Sequence, residues 1–265
     1  MPHARNSRAT GLDSLADELF GTSGLEGDLP PEEPDQGYPL RPFAGLVAQD
    51  DLVSTEARTD ESPAERLFRR AVEASSRGRV SEAIGKYREL LALEPRHIAA
   101  RNNLSALLET TGDPAEALEQ LSAALKVTPD DVNLLVSRGA IQGRLKNYGE
   151  AEADLRRALK LDGQHTQAHL TLGLVLWRKG VPAQAAEALR KAISLEPEHP
   201  IAHFYLGEAL NQAGDLAGAR AALERAGELL PDARTFRLLG RVLDRMAKPD
   251  LAQEMYRRAR ELGEA

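Results

Sequence analysis

Residues 166–199 read TQAHLTLGLVLWRKGVPAQAAEALRKAISLEPEH. Numbered 1 to 34, the stretch places Leu172 at 7, Gly173 at 8, Leu176 at 11, Gly180 at 15, Ala185 at 20, Leu189 at 24, Ala192 at 27 and Pro197 at 32. Spacings of three, four and seven within each half are those of a helix with one apolar face. Gly180 breaks the first helix, Pro182 suits the first turn of a second, and Pro197 closes the unit. The stretch is therefore a helical hairpin, helix A then helix B. Gly173, Ala185 and Ala192 must be small, because helix axes about 8–10 Å apart leave little room at a crossing. Leu172, Leu176 and Leu189 fill the space beside them.

The spacing returns in register on both sides. Position 20 is Ala83, Ala117, Ala151, Ala185, Ala219 and Ala252, and position 24 is Tyr87, Leu121, Leu155, Leu189, Leu223 and Tyr256. Position 27 is Leu90, Ala124, Ala158, Ala192, Ala226 and Ala259, while position 8 is Ala71, Ser105, Gly139, Gly173, Gly207 and Gly240. Pro95, Pro129, Pro197 and Pro231 stand at position 32, with Gly163 and Glu264 departing. The last unit keeps phase only if it starts at Ala233, so one residue is missing near Pro231 and Asp232. This pattern resembles the tetratricopeptide repeat family, in its 34-residue period and its Leu-Gly, Ala, Leu or aromatic, Ala and Pro positions. The resemblance covers roughly three quarters of the chain. It implies an all-α fold, an open right-handed α-α superhelix of six hairpins: 64–97, 98–131, 132–165, 166–199, 200–232 and 233–265.

The chain is 42% hydrophobic and 28% charged, enough for a core, and no apolar run approaches the roughly 20 residues of a membrane span. The start, MPHARNSRATGLDSLADELF, lacks the apolar segment of a secretory signal, and the absence of cysteine fits a reducing cytoplasm. The net charge of −7 is unevenly placed: through Pro63 four arginines face thirteen acids, about −9, leaving 30 basic and 28 acidic residues, about +2, for the repeats. A general nucleic-acid binder would need a basic excess that this chain lacks.

Residues 1–62 carry no repeat and are rich in Gly, Pro, Asp, Glu and Ser, a composition that cannot offset backbone ordering; they are read as an acidic, mostly disordered leader. Within it Leu12, Leu15, Leu19 and Phe20 share one helical face with acids on the other, near 12–20, so this segment could fold on a partner or bind nothing. The repeat domain, 63–265, opens at Ser62-Pro63-Ala64-Glu65, a capping box with proline in the first turn. Arg70 and Arg138 occupy position 7 in place of leucine; they are expected to lay their methylenes on the core and turn their charge outward. The last helix B must cap itself with Arg257, Arg258, Arg260 and Glu261 as its wet side.

The resemblance implies that A helices line a hollow, with positions 2, 5, 9, 12 and 13 on its wall. Those positions give an apolar strip in units four and five, Leu170, Leu174, Trp177, Ile201 and Phe204, with Tyr205 beside it. Arg144 and Arg178 flank it on one side, and Arg234, Arg237, Arg241 and Arg245 on the other. Such a wall suits an acidic or amphipathic peptide or protein segment, the chain's own leader being one candidate. Packing between repeats is the alternative reading of Trp177 and Phe204. The family's carboxylate clamp finds only Asn103 in place, which speaks against a chaperone-tail adaptor, and the asparagine ladder of its sugar-transferase branch fails at Ser137, Thr171 and Tyr205.

No nucleophile motif or phosphate-cradling glycine loop is present, and the glycine-containing turns read as punctuation between helices. His165 with His169, and His199 with His203, have the spacing of a metal pair on a helix, but both fall at positions 34 and 4 of successive units, which the period explains better. The expectation is a cofactor-free interaction scaffold or adaptor rather than an enzyme. The alternative is a regulatory or assembly subunit whose leader is the effector or an autoinhibitory segment.

Overall fold

A computed structural model describes residues 61–263; the leader and its amphipathic 12–20 segment lie outside these described residues. Twelve helices follow in order within them: α1 (Pro63–Ser76), α2 (Val80–Leu93), α3 (Ile98–Thr110), α4 (Pro114–Val127), α5 (Val132–Arg144), α6 (Tyr148–Leu161), α7 (Thr166–Arg178), α8 (Pro182–Leu195), α9 (Pro200–Ala213), α10 (Leu216–Leu229), α11 (Ala233–Arg245) and α12 (Pro249–Gly263). Each packs against the next, and α5, α7, α9 and α11 also touch in succession, so odd-numbered helices form one wall of an all-α solenoid. The connection α10–α11 has three residues where the other joints between hairpins have four, which is where the missing residue went.

Local chemistry sets the helix ends. Ser62 accepts from the Glu65 amide while the Glu65 carboxylate accepts from the Ser62 amide, the reciprocal box read from sequence. Asp113, Asp131, Asp215 and Asp232 cap α4, α5, α10 and α11 through their carboxylates. Within hairpins the turn needs a left-handed residue, supplied by Gly78, Gly112, Gly180 and Gly214 at φ of 71–87°. Two hairpins depart from glycine punctuation: Lys146 (φ 64°) and Ala247 (φ 57°) hold the same place.

The crossing of A on B follows from position 8. Side chains at 20, 24 and 27 are buried at every unit except Tyr256, which is half-buried, and a Cβ added to Gly173 would stand 2.5 Å from Leu189 Cγ. Gly139 and Gly207 meet Leu155 and Leu223 in the same way, and Gly240 meets the Tyr256 ring. Arg70 is exposed as expected, but Arg138 is not turned outward. Its guanidinium donates to both carboxylate oxygens of buried Asp154 at 2.6 and 2.7 Å, and this partner holds its pKa above the ordinary arginine value. Unit four fills the same two positions with Leu172 and Ala188. On the last helix Arg257, Arg258, Arg260 and Glu261 are exposed, and only Ala252 and Ala259 are buried.

Candidate binding surface on the odd-numbered helices

The strip residues come from α7 and α9, and the structure brings its aromatic members together. Trp177 and Tyr205 ring centroids lie 5.1 Å apart, Phe204 and Tyr205 5.2 Å apart at 84°, an edge-to-face pair. From α11 the Arg234 guanidinium lies 4.7 Å above the Phe204 ring and 5.9 Å from that of Tyr205, a cation–π contact across the next joint. Leu170, Leu174, Trp177, Ile201, Phe204 and Tyr205 are all buried, none more than 4% exposed. They hold neighbouring units together whatever else they do. Periodicity shows that such residues share a wall; it does not show how deeply the next unit covers them.

The flanking cations differ in environment. Arg144 pairs with Glu109 of α3, and burial, with the like charge of Arg178 behind it, brings its pKa down to about 10. Arg178 is half-buried. Arg245 donates to the carbonyl and side-chain oxygens of Asn211. Arg237 and Arg241 are exposed and form no ion pair among the described residues. Glu208 of α9 has its carboxyl pushed above the ordinary value by burial, opposed by Arg234 and Arg241. Within the cluster the Trp177 indole Nε1 is buried without a hydrogen-bond partner among the described residues.

Asn103, the one residue in place for a carboxylate clamp, faces the core: it is fully buried and its amide donates to the Tyr87 hydroxyl at 3.1 Å. Desolvation there pushes the Tyr87 pKa up to about 12.

The histidines have structural work that the sequence reading missed. His97, His165 and His199 cap α3, α7 and α9, each Nδ1 accepting from the amide three residues on, at 3.1–3.4 Å. His169 and His203 face the preceding joint, their Nε2 atoms 3.0 and 2.9 Å from the carbonyls of Gly163 and Pro197, while Arg101 donates likewise to Pro95. Among the described residues no three His, Asp or Glu converge as metal ligands. Asp131 and Asp232 occupy the histidines' slot in other units, which was the signal that the slot caps a helix.

An open groove of about 670 Å³ lies elsewhere, bordered by Leu159, Leu172, Leu176, Gln184 and Lys191 of α6, α7 and α8. It shares no residue with the aromatic cluster.

Stacked helical hairpins of this period lead to one family. The tetratricopeptide repeat model matches residues 137–181 and 170–234, and a second model of the same description matches 74–138; together they span more than half of the chain. The chain belongs to the tetratricopeptide repeat family. Its repeats mark it as a protein-interaction scaffold in the general sense. No curated protein matches the sequence. Among solved structures, pilF of Pseudomonas aeruginosa aligns with a TM-score of 0.64 and 22% identity over 72% of this chain and 88% of its own. MamA from Desulfovibrio magneticus RS-1 aligns at 0.58 and 25% over 62% and 94%. YrrB, described as a TPR protein with an unusual peptide-binding site, aligns at 0.56 and 21% over 66% and 91%. At such identities the likeness concerns the fold. Among the described residues no helix is long and apolar enough to cross a membrane.

Proposed function

We propose that the odd-numbered helices bind an acidic, amphipathic peptide or protein segment, and that the protein acts as a non-catalytic adaptor in the cytoplasm, a compartment that a chain without cysteine permits. The observation that carries this reading is the contiguous cluster of Trp177, Phe204, Tyr205 and Arg234 across α7, α9 and α11, bordered by exposed Arg237 and Arg241. The buried cluster fixes the relative position of the three helices from beneath, and the exposed arginines give a ligand's carboxylates bidentate donors. Leu170, Leu174 and Ile201 are buried on the same two helices, and Arg144 and Arg178, the last residues of α5 and α7, are the further cations this reading assigns to the wall. That YrrB is described as binding peptides adds support through the shared fold. The chemistry is shape and charge complementarity, with no bond made or broken.

The test is capture of labelled acidic amphipathic peptides by the intact chain and by an Arg237→Glu, Arg241→Glu variant. Both side chains are exposed, so the variant keeps its fold, and binding should fall at least tenfold. Equal capture by both proteins would remove the proposal.

A second reading draws on the charge partition, about −9 in the leader against about +2 in the repeats. There the leader is the effector or an autoinhibitory segment, and the repeats dock it on a larger assembly. Deleting the leader abolishes function in this case and spares it in the first.

A further inference from the structure

We infer that the open groove between α6 and α8 is a second binding surface, and that its occupant is a short amphipathic helix of another protein, laid apolar side down with carboxylates along its edges. The inference goes beyond the role proposed for the odd-numbered helices and does not depend on it.

The groove has a local cause in the sequence. Positions 7 and 23 face one another across a hairpin, as Arg138 and Asp154 do in unit three. Position 23 is Lys86, Gln120, Asp154 and Met255 in units one, two, three and six, but Ala188 and Ala222 in units four and five. In units two and three the space is taken, because Gln120 accepts from Arg101 and Asp154 from Arg138. An alanine reaches no further than its Cβ, and the surface opens beside each one. About 670 Å³ lies along Ala188, Leu172 and Leu176, and about 360 Å³ along Ala222, Leu206 and Leu210. Neighbouring repeats cover the Trp177 cluster; no part of the described chain fills these grooves, and Leu159 and Ile193 stand half-buried in their walls.

The shape of the larger groove selects a helix. On α8 it is bordered by Gln184, Glu187, Ala188, Lys191 and Ser194, whose spacings of three and four make one stripe along that helix. From Gln184 to Ser194 the stripe runs about 15 Å, nearly three helical turns. A segment of that length, resting on the leucines between α6 and α8, matches the way amphipathic helices occupy apolar grooves.

Charge selects its edges. Arg156, Arg190 and Lys191 stand around the groove against a single acid, Glu187. Arg156 already pairs with Glu152, but Arg190 and Lys191 are exposed and form no ion pair among the described residues. Two cations with no partner to give up favour a ligand that carries carboxylates beside its apolar face.

The chain has no cysteine, so Ser194→Cys, at the exposed end of the stripe, carries one environment-sensitive dye and reads this surface alone. The probe is a synthetic helical peptide with leucines on one face and glutamates beside them; its control has lysines in place of the glutamates. With the full-length labelled protein the glutamate peptide should blue-shift the dye saturably, and the lysine peptide should bind at least tenfold more weakly. Ala188→Met, which gives unit four the side chain that unit six has in Met255, should weaken binding at least fivefold, with helix content as the check on folding. Lys191→Glu, at an exposed position, should weaken it as much through charge, while Ala222→Met in the neighbouring groove should leave it unchanged. Equal titration of wild type and both groove variants, or equal binding of the two peptides, overturns the inference. A dye signal that shifts with protein concentration alone, without peptide, makes a second copy the occupant and overturns it too. A dye response that survives Arg237→Glu, Arg241→Glu supports a groove acting separately from the odd-numbered wall. No dye response, with total capture still lost in that arginine variant, removes the groove and leaves the wall its proposed role.

Discussion

Gly173 and Leu189 meet so closely that a methyl group on the glycine would lie 2.5 Å from Leu189 Cγ and 3.4 Å from the Ala185 carbonyl oxygen. Gly173→Ala should therefore destabilise the protein by about 1–3 kcal/mol through overpacking, although alanine is the better helix former. Gly85, in α2, has open space around its Cβ position, and Gly85→Ala should stabilise by about 0.5–1 kcal/mol. Urea unfolding of the two variants measures both signs; a loss at Gly85 or a gain at Gly173 would contradict the account of the crossing.

Arg138 and Asp154 predict a swap. Arg138→Leu alone leaves Asp154, 8% exposed, without its bidentate partner and should cost about 2 kcal/mol. Adding Asp154→Ala recreates the Leu172 and Ala188 pair of the next unit and should bring stability back to within about 1 kcal/mol of wild type. Denaturant midpoints of the single and double variants decide it, and additive losses would refute it.

Lys146 stands where four other hairpins have a left-handed glycine. A non-glycine residue there is strained, so Lys146→Gly should raise stability by about 0.5–1 kcal/mol, visible as a higher melting temperature. No gain, or a loss, would mean that the turn is held by something other than backbone preference.

His199 makes one joint sensitive to acid. Its Nδ1 accepts from the Ala202 amide, which requires that nitrogen to carry no proton, and burial lowers its pKa below the ordinary value of 6.5, with Glu196 pulling the other way. As pH falls the unfolded chain takes up the proton first. The stability contributed by neutral His199 is therefore whole above about pH 6.5 and is lost as pH drops from there toward the lower folded-state pKa. His199→Asp keeps a cap of the kind Asp131 and Asp232 provide, so the variant should lose less stability than wild type between pH 7 and pH 5. Parallel loss in the two proteins would rule out the histidine as the cause.

What the sequence made legible was whatever repeats. Positions 8, 20, 24 and 27 announced the crossing because a close approach tolerates few side chains, and the one-residue deletion near Pro231 could be counted. Features that break the repeat were read less well. Arg138 looked like a surface arginine because its partner Asp154 lies sixteen residues away on the other helix, at a position that carries alanine in units four and five. Lys146 and Ala247 gave no sign of a left-handed turn, since conformation there is set by the hairpin and not by the residue. On the wall, residue types located the strip, but the depth of Leu174 or Phe204 depends on how the following unit leans over it, which no spacing encodes.

Across all five joints the residue that starts an A helix is the last residue of the unit before it: His97, Asp131, His165, His199 and Asp232 each cap the helix that follows. The stack therefore has a polarity. Stripping units from the amino end leaves each newly exposed helix bare at its start, whereas trimming the carboxyl end removes only contacts, so unravelling should run more readily from front to back than from back to front.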